Sequence, residues 1–446
     1  MSDPAGLLIT GGTVIDGLAS APSPGIDVLV VGDRIEAVGT EASTRAASVT
    51  GEVRRIDAGG HTVMPGLIDA HCHITFGEPA SNDELFFHRE QSTAAMLAAF
   101  NVQKLLLAGV TGFLDADCLW NLGPALRDAI EAGLVEGPRM TAGMNALLTA
   151  AGGTAGRLIP DEGTLGYAHV MRDRAEMVRT TRQQVKYGAD WIKIHVTGSV
   201  PNRAGELTVW TLDELRAVTE TARDLETPTV AHCRSARSTQ LAAEAGVDLI
   251  LHASYLDDAA LDAVVAAGSA IAPTFTFLAN LADYGHKVGA MTTQVDIFRG
   301  EIEATAAMIA KAHDAGVPIL CGSESGFAIT PYGHWHAREL EVLVDAVGLS
   351  PLDAIRCATA NGARALRMAD GAIGVVAEGA AADLLVVDGD PAVDVTVLGD
   401  RGRLRQVISR GRPVDLARPW PERRALPGEK VGMWSAELLT QDAARR

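Results

Sequence analysis

The strongest constraint on this chain is a regular alternation between residues 66 and 369. Eight near-continuous apolar runs, "GLIDAHCH", "VTGFLDA", "RMTAGM", "WIKIHVTG", "PTVAHC", "DLILHAS", "AIAPTF" and "VPILCGSE", are separated by stretches rich in Ala, Leu and Glu. A run that is apolar at consecutive positions, rather than at every second one, suits a parallel strand buried on both faces. The stretches between them read as helices, as in "DELFFHREQSTAAMLAAFNVQKLLLAG". Another, "TLDELRAVTETARDLE", opens on a Thr-Leu-Asp-Glu capping pattern. Eight strand–helix units predict an α/β fold, a (β/α)8 TIM-type barrel. The competing architecture is a doubly wound sheet, but no glycine-rich phosphate loop follows the first strand.

The two ends follow a different pattern. "GLLITGGTVIDG", "DVLVVGDRIEAVG" and "RRIDAGGHTVMPG" at the start, and "GAIGVVAEGAAADLLVVDGD" and "RLRQVISRGRPV" near the end, are short Val/Ile runs between Gly/Asp turns. The expected organisation is a small β-sandwich built from both termini, residues 1–65 and 370–446, beside a barrel over 66–369. With 446 residues, 47% of them hydrophobic, the chain can bury both cores. The longer connections, 74–84 and 145–165, follow the first and third strands, and a glycine-rich segment of the second length suggests a lid or a disordered stretch.

Charge and cysteine usage exclude several roles. A formal charge of −18 with no Lys/Arg-rich run argues against nucleic acid and anionic membranes as partners. Five scattered cysteines with no Cys-x-x-Cys pair argue against a disulfide framework and for a reducing compartment. No signal peptide is evident, and no apolar run approaches the ~18 residues a membrane span needs. The expectation is a cytoplasmic homo-oligomer acting on a small molecule.

Barrel enzymes carry their reacting groups at the C-terminal ends of strands, and polar residues interrupt the apolar runs there. His71 and His73 are two apart in "DAHCH", so they share a face, with Cys72 turned away. Lys193 and His195 share a face in "WIKIHVTG", His232 and His252 end the next two histidine-bearing runs, and Glu324 follows "ILCGS". A single buried histidine is more often a hydrogen-bonded core residue. Four at successive inward strand ends are harder to explain that way, and a lysine inside a strand is costly to bury unless paired or modified. Convergent imidazoles and carboxylates suit a divalent metal, which activates water and polarises a carbonyl.

These motifs resemble the amidohydrolase superfamily of metal-dependent hydrolases, over nearly the whole chain. "MPGLIDAHCH" is similar to its first-strand signature, "SPLDAIRCATANGARAL" to the helix before the returning β-unit, and "GAIGVVAEGAAADLLVVDGDP" to the return itself. The resemblance implies that His71 and His73 bind the more buried metal and that His232 and His252 bind a second. It also implies that Lys193 reacts with CO₂ to form a carbamate bridging the two. One or two ions are implied, zinc first, with cobalt, manganese or iron as alternatives. Within the superfamily the chain most resembles the imidazolonepropionase-like branch, and there the phenylurea and molinate hydrolase group.

The chain departs from the superfamily at the eighth strand, where Gly-Ser-Glu stands in the position of Gly-Thr-Asp. Glutamate reaches roughly 1.5 Å further than aspartate, which is large beside metal–ligand tolerances of about 0.2 Å. Three outcomes stay open for Glu324: coordination from a shifted backbone, an outer-sphere proton shuttle, or a turn away from the metal. His195 is a second departure, open as a second-shell donor, a substrate contact or an extra ligand.

Around the expected mouth stand Phe86, Phe87, Trp120, Tyr255, Phe275, Phe277, Phe327 and Trp335, with few charges. An apolar rim beside a polarising metal suits a neutral substrate with one hydrolysable carbonyl. Trp120, Arg234, Phe327, His334 and His336 are candidate substrate contacts, Arg234 being the cation placed to meet a carboxylate. The reading is hydrolysis of an amide-type C–N bond in a urea, carbamate, thiocarbamate or anilide. Glu324 acts as base then acid, His252 is both ligand and catalytic, and Tyr255 or His195 helps to stabilise the oxyanion. The rivals are an Xaa-Pro dipeptidase or N-acyl amino acid hydrolase, a heterocycle deaminase, and a metal-free scaffold.

Overall fold

The computed structural model describes the chain except residues 1–4, 88, 153–160, 162–163, 199–205, 291–294, 425 and 427–433, and describes the backbone alone at 83, 86, 87, 164 and 165. It is an α/β protein. Seven of the apolar runs contain parallel strands: Leu67–Cys72, Val110–Asp115, Arg139–Ala142, Ile192–His195, Thr229–Cys233, Leu249–His252 and Ala270–Ala272. The first three pair in order in one sheet. The other four pair in order in a second sheet, which Ala146–Thr149 and Ala168–Met171 extend. Almost every side chain in these strands is buried, as the unbroken apolar runs require.

The eighth run, 317–324, with Ser325 just beyond it, is not a regular strand. It makes single bridges, Ile271 with Ile319 and Cys72 with Ser325. The Leu320 amide donates to Ile271 O at 2.8 Å, and the Ala70 and His73 amides donate to Cys321 O at 2.8 Å and Ser325 O at 2.7 Å. The segment therefore links the second sheet to the first. Its backbone leaves the extended conformation at Glu324 (φ 52°) and again at Gly326 (φ 138°), which breaks the ladder where the polar residues begin. Between the sheets on the other side, the Asp190 amide donates to Ala142 O at 2.7 Å.

Helices lie between the strands. Leu212–Asp224 carries the capping box expected from its sequence, with Thr211 and Glu214 exchanging side-chain-to-backbone bonds. The expected long helix before the second strand is Gln91–Leu107, preceded by the short Asn82–Phe87.

The two ends of the chain meet in one eight-stranded sheet. Its order runs Arg412–Pro413, Leu404–Ser409, Leu384–Val387, Thr62–Pro65, Gly6–Val14, Ser23–Val31, Arg34–Val38, with Val53–Asp57 also on Gly6–Val14. Alternation along Gly6–Val14 sends Leu7 and Ile9 into a core with Val63, Val375, Leu384 and Ile408. Leu8 packs on the other face against Ala42 and Ala46 of the Thr40–Ala46 helix. No helix among the described residues is long and apolar enough to cross a membrane.

Candidate metal centre

The polar strand ends converge. His71, His73, Lys193, His195, His232 and His252 are each no more than 4% exposed. Their imidazoles form a continuous arc. Ring centroids are 4.8 Å apart for His73 and His71, 5.3 Å for His71 and His252, 4.5 Å for His252 and His232, and 4.8 Å for His232 and His195. One ligand atom each from His71, His73 and Glu324 lies within 4.8 Å of the others. The loop of 322–326 reaches this point because Gly322 and Gly326 carry no side chain. A Cβ at Gly322 would stand 2.7 Å from His71 Cβ, and one at Gly326 would stand 2.5 Å from His73 O.

The hydrogen bonds show which nitrogens remain for a cation. His71 Nδ1 lies 3.1 Å from Thr274 Oγ1, whose hydroxyl donates to Ala272 O and so accepts the imidazole N–H. That leaves the lone pair on His71 Nε2, which is buried without a hydrogen-bond partner among the described residues; His252 Nε2 is in the same position. Orphaned buried nitrogens on two imidazoles of such an arc are what a divalent ion needs and what a hydrogen-bonded core avoids. These residues therefore fit a divalent metal. His252, Thr274 and Glu324 all hold left-handed φ values of 52–68° at strand ends, a costly conformation for branched or long side chains that concentrates at functional sites.

The electrostatics agree. Burial, with Lys193 and His73 nearby, holds the His71 imidazolium well below its usual range, and burial with His232 and His71 does the same for His252. Both are neutral and able to ligate. Burial raises the Glu324 carboxyl, partly offset by His73 and Arg234. His195 is lowered to about 4, burial outweighing its bond to Asp117.

Two carboxylates not singled out from the sequence lie in this network. Asp117 Oδ1 is 3.0 Å from His73 Nδ1 and 3.4 Å from Lys193 Nζ, and its Oδ2 is 2.9 Å from His195 Nε2. Burial alone would raise Asp117, but Lys193 and His73 hold it well below the usual carboxylate range. Glu206 accepts from His232 Nε2 at 2.8 Å and Thr197 Oγ1 at 2.6 Å. "FLDADC" does carry a signal for Asp117, an alternate-position acid pair at a strand end. Glu206 stands in "PNRAGELTVW", and nothing in that sequence marks it.

Several expected contacts stand elsewhere. His336 is not at an entrance. It is buried, its Nδ1 is 2.7 Å from Asp69 Oδ2, and its Nε2 accepts from the Gly333 amide at 3.0 Å, so both ring nitrogens are committed. His334 lies against Trp420, with ring centroids 5.5 Å apart, and lines a separate cavity of about 540 Å³ with Lys104, Arg401 and residues of the tail. Arg234 is not available to a carboxylate. Its Nε and Nη2 meet Glu301 at 3.0 and 2.6 Å, and Nη1 is 3.6 Å from Glu206. Although burial opposes its charge, these two acids raise its pKa further.

The aromatic rim is only partly as expected. Phe275 belongs to the main core, and Trp335 is buried with its indole N–H on Leu439 O at 2.6 Å. The side chains of Phe86 and Phe87 lie outside the described residues. Phe327 does stand at the centre, edge-on to His73 at 5.6 Å and in contact with Phe76, Phe277 and Trp434. Trp120 packs nearby with Phe76 and Leu119. Tyr255, half-buried just past His252, has left-handed φ, and its amide donates to Thr305 Oγ1 at 3.0 Å. His195, with its neutral-ring proton directed at Asp117, offers an oxyanion no N–H; of its three open roles, the hydrogen-bond donor is the one its geometry matches.

Residues 62–414 match the Amidohydrolase family, and the chain belongs to it. It is an enzyme of the kind that acts on C–N bonds. Ochratoxinase of Aspergillus niger is 27% identical over 437 residues, spanning 92% of this chain and 84% of the relative. A Xaa-Pro dipeptidase structure with bound methionine superposes with a TM-score of 0.74 at 27% identity, covering 92% of this chain and 99% of that one. Molinate hydrolase superposes at 0.75 with 22% identity, covering 96% of this chain and 99% of its own, and shares the fold.

Proposed function

We propose that this enzyme hydrolyses an amide-type C–N bond in a neutral urea, carbamate, thiocarbamate or anilide, at a site holding one or two divalent ions. The observation that carries the metal site is the pair of orphaned nitrogens, His71 Nε2 and His252 Nε2, beside the His71–His73–Glu324 group. A bound divalent ion supplies Lewis acidity, lowering the pKa of water toward ~7 and polarising the substrate carbonyl.

The chain's own groups do the rest. His71, His73, His232 and His252 hold the ions, and Lys193 joins them only as its carbamate, since the free amine points to Asp117. Glu324, raised by burial, takes the proton of the attacking water and returns it to the leaving nitrogen. The Tyr255 hydroxyl donates to the developing oxyanion. Phe327 and the aromatic residues around it receive an apolar substrate body, and Arg234, held by two acids, is not offered to a substrate carboxylate. We read the two parallel sheets and segment 319–325 as one (β/α)8 barrel over 66–369, with the terminal sheet as the β-sandwich of 1–65 and 370–446.

One observation favours a second reading. The dipeptidase is closer in sequence, at 27%, than molinate hydrolase, at 22%, so an Xaa-Pro dipeptidase or N-acyl amino acid hydrolase is the alternative. Arg234→Ala does not separate the two, because it also strands Glu301 and Glu206. A panel of phenylureas, thiocarbamates, anilides and Xaa-Pro dipeptides on the zinc-loaded enzyme does. Turnover of the neutral members is expected, and cleavage of carboxylated dipeptides alone sinks the first reading.

A further inference from the structure

Asp117 is nearly inaccessible, at 1% exposure, and receives three nitrogens on two oxygens. The arrangement is directional. An ionised carboxylate can only accept, so each partner must present a proton. For His73 this places the proton on Nδ1, where the Asp117 carbonyl, 3.3 Å away, adds a second acceptor. The lone pair then falls on Nε2. For His195 the same rule places the proton on Nε2 and leaves Nδ1, a buried atom without a partner among the described residues, as a lone pair. His71 reaches the same Nε2 lone pair by a different route, through Thr274. The two histidines of the His-x-His strand thus have their tautomers set by separate acceptors on separate segments.

Resting on the metal-hydrolase reading above, we infer that Asp117 is a positioning residue for the metal site: it fixes the tautomer and ring orientation of His73, and its second oxygen is anchored by His195. A histidine ligand whose second N–H is held by a carboxylate is both oriented and made more basic, and losing such a partner costs about 10–100-fold in metal affinity. Pairing with Lys193 is a second duty of the same group. It does not account for the His73 contact, which is the shorter of the two on Oδ1.

The experiment is zinc affinity of the full chain by chelator competition, together with the visible spectrum of the cobalt-loaded protein. Asp117→Ala should weaken zinc binding by about 10–100-fold and change the cobalt spectrum. The metal-stripped variant should melt below stripped wild type, because Lys193 loses its buried partner, so zinc affinity and the cobalt spectrum carry the test. Asp117→Asn, which can keep one acceptor oxygen toward His73, should restore part of the affinity. Wild-type affinity and spectrum in Asp117→Ala overturn the inference and leave the metal reading intact. Wild-type protein that takes up no zinc overturns both. If neither variant folds, nitrogen-correlated NMR of wild-type histidines decides: His73 protonated at Nδ1 supports the inference, and at Nε2 refutes it.

Discussion

The backbone amide of Glu324 donates to the carbonyl of His71 at 2.7 Å. The segment that carries the Glu324 carboxylate is therefore tied to the strand that carries the His-x-His pair, and its backbone leaves the extended conformation at Glu324 itself. Glu324→Gln keeps this amide bond and the side-chain length while removing the proton acceptor. Turnover should fall by about 10²–10⁴-fold, the usual span of general acid–base catalysis, with zinc content near wild type. Activity within tenfold of wild type would give the base role to another group.

Gly322 allows that approach. An added Cβ would meet His71 Cβ at 2.7 Å and His71 N at 3.3 Å, so backbone as well as side chain obstructs it. Gly322→Ala should destabilise by about 1–3 kcal/mol, the range for overpacking a filled core, and should lower zinc affinity because the displaced atom belongs to a ligand residue. Denaturant melts and zinc titration of the same variant check this. An unchanged zinc affinity would show that the strand yields without moving the imidazole.

How far this site was legible follows from where its residues stand. His71, His73, Lys193, His232 and His252 interrupt apolar runs, and a polar residue in a strand buried on both faces needs a reason; that contrast is visible in the chain alone. Cys72 turned away, as parity requires, and lies in the main core. Parity was a weaker guide past the strand ends. Ser323 bonds to Asp69 while Glu324 lies with His71 and His73, and a left-handed turn rather than a pleat separates the two. Arg234 and His336 were misplaced for one reason: their acidic partners, Glu301 and Asp69, are 67 and 267 residues away. Such separations are set by tertiary packing, which no local pattern encodes. The regular eighth strand expected from "VPILCGSE" failed similarly, because its contacts with neighbouring segments, not its apolar composition, determine its pairing.

Removing metal should destabilise the protein in a way that depends on the histidine arc. A ligand that binds only the folded state stabilises by about 4 kcal/mol at a thousandfold excess over its dissociation constant. Zinc should therefore raise the thermal midpoint of chelator-stripped protein. His71→Ala should lose most of that rise, whereas His169→Ala should keep it, since His169 is partly exposed and lies 4.0 Å from Glu176 rather than in the arc. Equal zinc shifts in the two variants would remove His71 from the site.

Glu206 predicts the shape of the acid limb. Burial alone would raise its carboxyl, but His232, Arg234 and Thr197 more than offset this and bring it from 4.5 down to about 2. A carboxylate with a depressed folded-state pKa binds protons more readily when unfolded. Its stabilisation is therefore complete above about 4.5 and is lost as pH falls through about 2. The shift corresponds to about 3 kcal/mol at most. Glu206→Gln removes the charge and keeps the shape, so the variant should be less stable at pH 7, where Arg234 loses part of its compensation, and should lose less stability on acidification. Thermal midpoints of chelator-treated wild type and variant between pH 7 and 3 test this without a contribution from metal release. The two curves should converge toward low pH; parallel curves would mean that Glu206 is not the group whose charge holds His232 and Arg234 together.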